Sequence, residues 1–221
     1  MKLLINAAVK FIIGLLMVGV LIFLPAGTLA YANGWLFYAL LFIPMLILGI
    51  VLFFKDPALL ERRLGAKEKD DTQKKVVAAS GLLFVLGFTV AGLDFRFGLS
   101  SVPKWAVAAA SVLLLTSYAA YAEVMRENAY LSRTVQVSEG QTVVDTGLYG
   151  VVRHPMYAAT LGLFLSIPVV LGSWWALIPF ALYVPLIVVR AVNEEKLLLR
   201  ELDGYGRYME KVKYRLIPFV W

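Results

Sequence analysis

The sequence predicts an all-α integral membrane protein with about six hydrophobic spans, built as a single membrane domain over residues 1–221. Three observations carry this reading. Hydrophobic residues make up 61% of the chain and charged residues only 16%, against roughly 25% charged in soluble domains. The mean hydropathy is +0.78. The apolar residues also fall in uninterrupted runs, most of them long enough to cross about 30 Å of hydrocarbon at about 1.5 Å per residue.

The first four runs cover residues 11–32, 35–54, 76–93 and 105–122. Lys2 and Lys10 precede the first, and Ala30-Tyr31-Ala32 near its end mimics a secretory cleavage site; we read it as a retained span. Asn33-Gly34 is expected to make the tight turn into the second span. A fifth run, 156–171, is short and carries Pro168, and a sixth, 174–192, carries Pro179 and Pro185. Only Gly172 and Ser173 separate these two, which predicts a tight helical hairpin. Residues 55–75 mix basic and acidic side chains and read as a solvated helix or turn without a functional role. Residues 134–137 and 142–146 gather β-formers around Ser138-Glu139-Gly140, which predicts a short strand pair at the membrane surface.

Nineteen of the 21 Lys and Arg residues lie in alternate connections, leaving only Arg96 and Lys104 on the other side. Positive residues collect in cytoplasmic loops, so both termini are expected in the cytoplasm. Residues 147–157 and the tail from Arg190 then share one face. The net charge of +6 fits contact with the anionic lipids of a plasma membrane; no basic–aromatic interleaving points to nucleic acid. With no cysteine, disulfides, thiolate nucleophiles, thiolate metal sites and cysteine lipidation are excluded. A single histidine, His154, provides no cluster for a metal and no second imidazole for a relay.

Potential chemistry concentrates in two places. The first is GLYGVVRHPMY at 147–157. Pro155 lacks an N–H and fits the first turn of a helix, and it pushes His154 into an extended conformation. Arg153 and the free N–H groups of that helix start then favour an anion. Tyr149 and Tyr157 offer flat surfaces to a heterocycle, while Gly147 and Gly150 permit close backbone approach. By itself this segment also reads as a basic turn in the aromatic belt of the interface. The second place is RAVNEEKLLLREL at 190–202, where Arg190 and Glu194 are four residues apart on one helix face, Asn193 lies beside them and Glu195 is about 100° round. By itself that is an ordinary ion pair on a helix leaving the membrane. The hairpin changes the reading, because it returns the end of span six to the start of span five. Arg153, His154, Tyr157, Arg190 and Glu194 can then converge at one cytoplasmic membrane edge.

The run VQVSEGQTVVDTGLYGVVRHPMY, followed by R-x-x-N-E-E, by Tyr205 and Tyr208 in a G-Y-x-x-Y context, and by Ile217-Pro218-Phe219, resembles the isoprenylcysteine carboxyl methyltransferase family and its relatives, among them membrane phospholipid N-methyltransferases. The resemblance covers the C-terminal region, 126–221; residues 1–125 carry no matching motif. It implies that S-adenosylmethionine is held by Gln136, by Gln141, Thr142, Val143 and Val144, by Tyr149, by His154, Pro155, Met156 and Tyr157, and by Glu194, with Arg190 facing the acceptor. Gln141 stands where a histidine is common, and Asn193 replaces one member of an acidic run found in some relatives.

Methyl transfer from a sulfonium is an in-line displacement that needs orientation and exclusion of water, with no metal or protein nucleophile. A carboxylate acceptor would be positioned by Arg190 or Arg153; an amine acceptor would lose its proton with help from Glu194 or Glu195. The implied partners are the lipid bilayer and a lipophilic, lipid-like or prenylated small molecule. Two other classes are weighed against this one: a membrane NADPH-dependent reductase of a sterol or isoprenoid double bond, although no GxGxxG occurs, and a non-catalytic membrane protein.

Overall fold

A computed structural model describes residues 2–65, 68, 70–132, 134 and 137–221. Its elements in chain order are α1 (Lys2–Ala26), α2 (Ala32–Lys55), α3 (Pro57–Gly65), α4 (Asp71–Phe97), α5 (Lys104–Glu127), a 3₁₀ turn (Gly147–Gly150), α6 (Pro155–Val170), α7 (Leu177–Ala181), α8 (Tyr183–Glu201) and α9 (Tyr205–Lys211). The chain is all-helical among the described residues, and five segments are long and apolar enough to cross a membrane: α1, α2, α4, α5 and Leu177–Glu201, which joins α7 to α8. The remaining run, α6, has 16 residues, about 24 Å at 1.5 Å per residue. It falls short of the full hydrocarbon thickness. Large apolar side chains such as Leu24, Phe54 and Leu82 are more than half exposed, as expected where lipid is the solvent.

Small residues let the helices approach closely. A Cβ on Gly92 would sit 2.6 Å from the Ile22 carbonyl of α1, one on Gly162 of α6 2.3 Å from Ser117 Oγ of α5, and one on Gly87 of α4 2.5 Å from the Phe180 ring of α7. This is the usual way for apolar helices to pack in lipid, where no hydrophobic gain comes from their mutual contact.

The turn between α1 and α2 falls at Gly27, whose φ is +69°. Asn33-Gly34 instead lies inside α2, where a Cβ on Gly34 would come 2.9 Å from the Tyr31 ring. The glycine serves packing, and the expected turn moves six residues toward the N-terminus. The hairpin forms as expected: Gly172 takes φ +78°, and Ser173 N–H bonds the Pro168 carbonyl at 2.9 Å, a helix-ending arrangement in which glycine avoids the Cβ penalty. Its returning arm is broken between α7 and α8, and Pro185 sits in the first turn of α8, where a missing N–H costs no helical bond.

At this end of the bundle Asp94, 1% exposed, accepts from Ser100 N–H (2.7 Å), Ser100 Oγ (2.6 Å) and the Ser173 hydroxyl. Trp174 Nε1 also donates to the Ser101 carbonyl at 3.1 Å, and the Tyr31 hydroxyl to the Leu171 carbonyl. One carboxylate thus ties the hairpin turn to the α4–α5 connection. The strand pair expected over 134–146 does not form among the described residues; Val135 and Gln136 lie outside them. There Gln141 N–H bonds the Ser138 carbonyl (3.1 Å), the Gln141 side chain accepts from Ser138 N–H (2.9 Å), and the Tyr130 hydroxyl takes the Gly140 carbonyl. Local turn bonds satisfy groups that a ladder would have used.

Candidate active site

The site is built around Pro155. His154 (φ −124°, ψ 63°) precedes α6 as its N-cap and Pro155 opens the helix, as proline's fixed φ and missing N–H favour. The preceding backbone pairs with the C-terminal tail: Arg153 N–H donates to the Tyr214 carbonyl (2.8 Å) and His154 N–H to that of Arg215 (2.9 Å). Gly147 takes φ +50° and makes room for Glu127, whose carboxylate accepts from Leu148 N–H at 3.1 Å.

Glu195 is 3% exposed and sits at the centre of three cationic or imidazole groups. Arg153 Nε donates to its Oε1 at 2.6 Å, Arg215 Nε to its Oε2 at 2.8 Å, and His154 Nε2 lies 3.3 Å from Oε1. Arg153 Nη1 also donates to the carbonyls of Val212 and Lys213, each at 2.8 Å. The sequence offers Arg153 to position an acceptor and Glu195 to help an amine lose its proton, and the two are paired with each other. The Arg153 guanidinium is held by Glu195 and by the Val212 and Lys213 carbonyls of the tail. Glu195 itself stands behind the cavity wall, saturated by its partners, so it holds the site together where a free base was expected.

Glu194, one residue earlier, faces the other way. It accepts from the Tyr157 hydroxyl and lies 4.0 Å from His154 Nδ1. The Tyr157 ring stacks on His154 with centroids 5.4 Å apart and planes at 19°. Arg190 Nε donates to the Tyr157 hydroxyl at 3.0 Å, and its guanidinium lies 5.9 Å from that ring centre. Arg190 also pairs with Glu68 at 3.6 Å.

These groups border one cavity of about 400 Å³. Gln141, Thr142, Val143, Val144, Tyr149, Arg153, His154, Pro155, Met156, Tyr157, Arg190 and Glu194 all line it; Glu195 does not, and Gln136 lies outside the described residues. Tyr205 and Tyr208 of α9 close one end, and the Tyr208 hydroxyl donates to the Tyr149 carbonyl at 2.8 Å. Burial pushes the phenols of Tyr149, Tyr205 and Tyr208 well above their ordinary range, with Glu195 and Glu194 adding to the rise at Tyr205. All three are neutral donors at physiological pH. The Tyr205 hydroxyl is buried without a hydrogen-bond partner among the described residues.

The segment between α2 and α4, expected to be a solvated connection, contributes to this site. Arg63 lines the cavity, donates to the Tyr121 hydroxyl and lies 5.3 Å from that ring centre. Gln73, 0% exposed, reaches the Arg190 carbonyl at 3.4 Å, and Asp70 accepts from Asn193 at 3.2 Å. A signal was present in the sequence: Asp70 caps α4 by accepting from Gln73 N–H at 2.8 Å, an Asp-x-x-Gln start. That cap places Gln73, Val76, Ser80 and Phe84 on one face of a helix that starts five residues before its apolar run.

The fold and site define a helical protein with five segments long and apolar enough to cross a membrane and a cavity lined by both polar and apolar residues. Residues 105–204 match the family model described as phospholipid methyltransferase, and this region contains most of the residues that line the cavity. No curated protein matches the chain.

The buried cluster yields a stability prediction. Glu195→Ala leaves the guanidinium of Arg153 buried beside that of Arg215 and should cost about 3–5 kcal/mol, the penalty for breaking a buried ion pair. Glu123→Ala removes an exposed, solvent-screened pair with Arg126 and should leave stability nearly unchanged. Thermal unfolding in detergent should separate the two variants widely; equal midpoints would show that the cluster does not hold the site together.

Proposed function

We propose that the protein is an S-adenosylmethionine-dependent methyltransferase of a lipid-like or prenylated acceptor, with the cavity opening to the cytoplasm. The observation that carries this reading is the mixed lining of one cavity. Tyr149, His154, Glu194 and Tyr205, which carry polar groups, and Val76, Val77, Gly81, Phe84 and Ile187, which are apolar and belong to the long helices, line the same cavity. A water-borne donor and a bilayer-borne acceptor can meet only where both kinds of lining join, and we place that junction at Tyr157 and Arg190.

The residues present fit the cofactor. Glu194 supplies a carboxylate for an ammonium group, Tyr149 an aromatic edge, and the unpartnered Tyr205 hydroxyl a donor lacking an acceptor. Bound there, S-adenosylmethionine would supply an electrophilic methyl group. His154 and Tyr157, stacked and fixed by the two glutamates, form a rigid wall against which donor and acceptor are aligned. Arg190, held by the Tyr157 hydroxyl and Glu68, aims a guanidinium at the acceptor head, whose carboxylate a planar fork suits. For an amine acceptor, Glu194 is the carboxylate nearest the junction. The Glu195 cluster acts as a positioning element: it orients His154 through Nε2 and leaves Nδ1 toward Glu194. Closure by α9 and the tail excludes water.

Two measurements test this. Calorimetry should show S-adenosylhomocysteine binding by the wild-type protein and no NADPH binding. Glu194→Ala should weaken that binding by at least tenfold, since charge-assisted hydrogen bonds contribute roughly 1.5–3 kcal/mol. Arg190→Ala should keep cofactor affinity while lowering methyl transfer from labelled S-adenosylmethionine into a membrane lipid extract, and lysine should rescue it poorly. Loss of cofactor affinity in Arg190→Ala would move that residue to the donor site.

The distribution of Lys and Arg supports an orientation with both termini cytoplasmic, in the plasma membrane. Reporter fusions at Met1 and Trp221 should report the same side; opposite sides would require α6 or the α7–α8 arm to re-enter the membrane without crossing it.

A further inference from the structure

The apolar part of the cavity has a floor. On α4 its lining runs through Val76, Ser80 and Gly81 to Phe84 and stops; on α6 it stops at Thr160 and on the returning arm at Tyr183. Behind that level the rings close ranks. Phe84 meets Phe164 edge-on at 4.6 Å, Phe180 at 5.8 Å and Tyr183 at 6.0 Å, and Phe164 meets Tyr183 at 4.4 Å. One turn beyond Phe84, α4 touches α7 with no gap, since a Cβ on Gly87 would fall 2.5 Å from the Phe180 ring. From Val76 to Phe84 the helix rises about 12 Å.

The walls of this limb offer no free polar group at two positions where the sequence would suggest one. Ser80 Oγ donates to the Val76 carbonyl at 2.7 Å and also meets the Tyr183 hydroxyl, and Thr160 Oγ donates to the Met156 carbonyl at 2.8 Å, so both hydroxyls are engaged. A Cβ on Gly81 would meet nothing within 4 Å. The limb therefore presents apolar side chains and engaged hydroxyls down to the rings.

Resting on the methyltransferase reading, we propose that this aromatic floor, with Phe84 as its exposed surface, sets the length of the acceptor's apolar tail. The acceptor class is a single-tailed amphiphile whose head lies at Tyr157 and Arg190 and whose tail ends on Phe84. Smaller residues at the floor admit longer tails; a larger residue at Gly81 admits only shorter ones.

The absence of cysteine allows a direct test that needs no cofactor. Val76→Cys places one thiol at the head of the limb, to be reacted with alkyl methanethiosulfonates of increasing chain length. Adduct mass and thermal midpoint read the longest tail that fits. A sharp cut-off is expected, moving to longer chains by several methylene groups in Phe84→Ala and to shorter chains in Gly81→Leu. Phe84→Leu serves if the alanine variant does not fold. An unchanged cut-off in folded variants overturns the proposal, as does labelling without any upper length, which would mean that the tail slips out between α4 and α8 into lipid. If the cut-off shifts as expected while S-adenosylhomocysteine fails to bind, the tail site stands and the methyl-transfer reading falls.

Discussion

The site depends on one carboxylate. Glu195 is buried among two guanidiniums and an imidazole contributed by two separate parts of the chain: Arg153 and His154 before α6, and Arg215 in the tail. Desolvating such groups is expensive, and the balance closes only when each polar atom finds a partner. Arg153 meets that condition through the Val212 and Lys213 carbonyls as well as Glu195. Removing the carboxylate would cut α8 from both the tail and the start of α6, which stay joined to each other through backbone bonds at Arg153 and His154. Adjacent in sequence but about 100° apart on the helix, Glu194 and Glu195 divide the work: one looks into the cavity and the other fastens its wall.

The opposite end of the bundle shows the same economy of means. Asp94 gathers Ser100 and Ser173 and thereby fixes where the α6–α7 hairpin turns. With both ends pinned, α6 and α8 are held at a fixed height relative to α4, and the cavity between them keeps both its polar and its apolar lining. Lipid faces the outside of these helices, and the apolar limb continues that environment inward as far as the ring cluster at Phe84.

Much of this was legible in the residues. The hydrophobic runs, the glycine turn of the hairpin and the four-residue spacing of Arg190 and Glu194 are local features, and each survives in the structure because helical periodicity and proline geometry are local physics. The convergence of 147–157 with 190–194 followed from the hairpin alone. What escaped was tertiary. Nothing in the spacing of Glu195 distinguishes a buried anchor from a reactive carboxylate, because its partners Arg153 and Arg215 lie 42 and 20 residues away. Arg63 and Gln73 sit in a segment whose charge reads as solvated, yet packing of α3 and α4 turns both inward. Among the described residues the strand pair expected around Ser138 is absent, because β-propensity is realised only against a partner strand and local turn bonds offer the backbone an alternative. Gly34 was read as a turn residue when its smallness serves contact with Tyr31.

The central claim is that one cavity brings a soluble methyl donor to a lipid-borne acceptor, with Tyr157 and Arg190 at the meeting point. A structure of the protein with bound S-adenosylhomocysteine tests it most directly. The adenosine should lie along residues 141–144 and Tyr149, the amino-acid end beside Glu194, and the sulfur should point past Tyr157 toward the limb bounded by Val76 and Phe84. Ligand density outside this cavity, or a sulfur directed away from the apolar limb, would contradict the account.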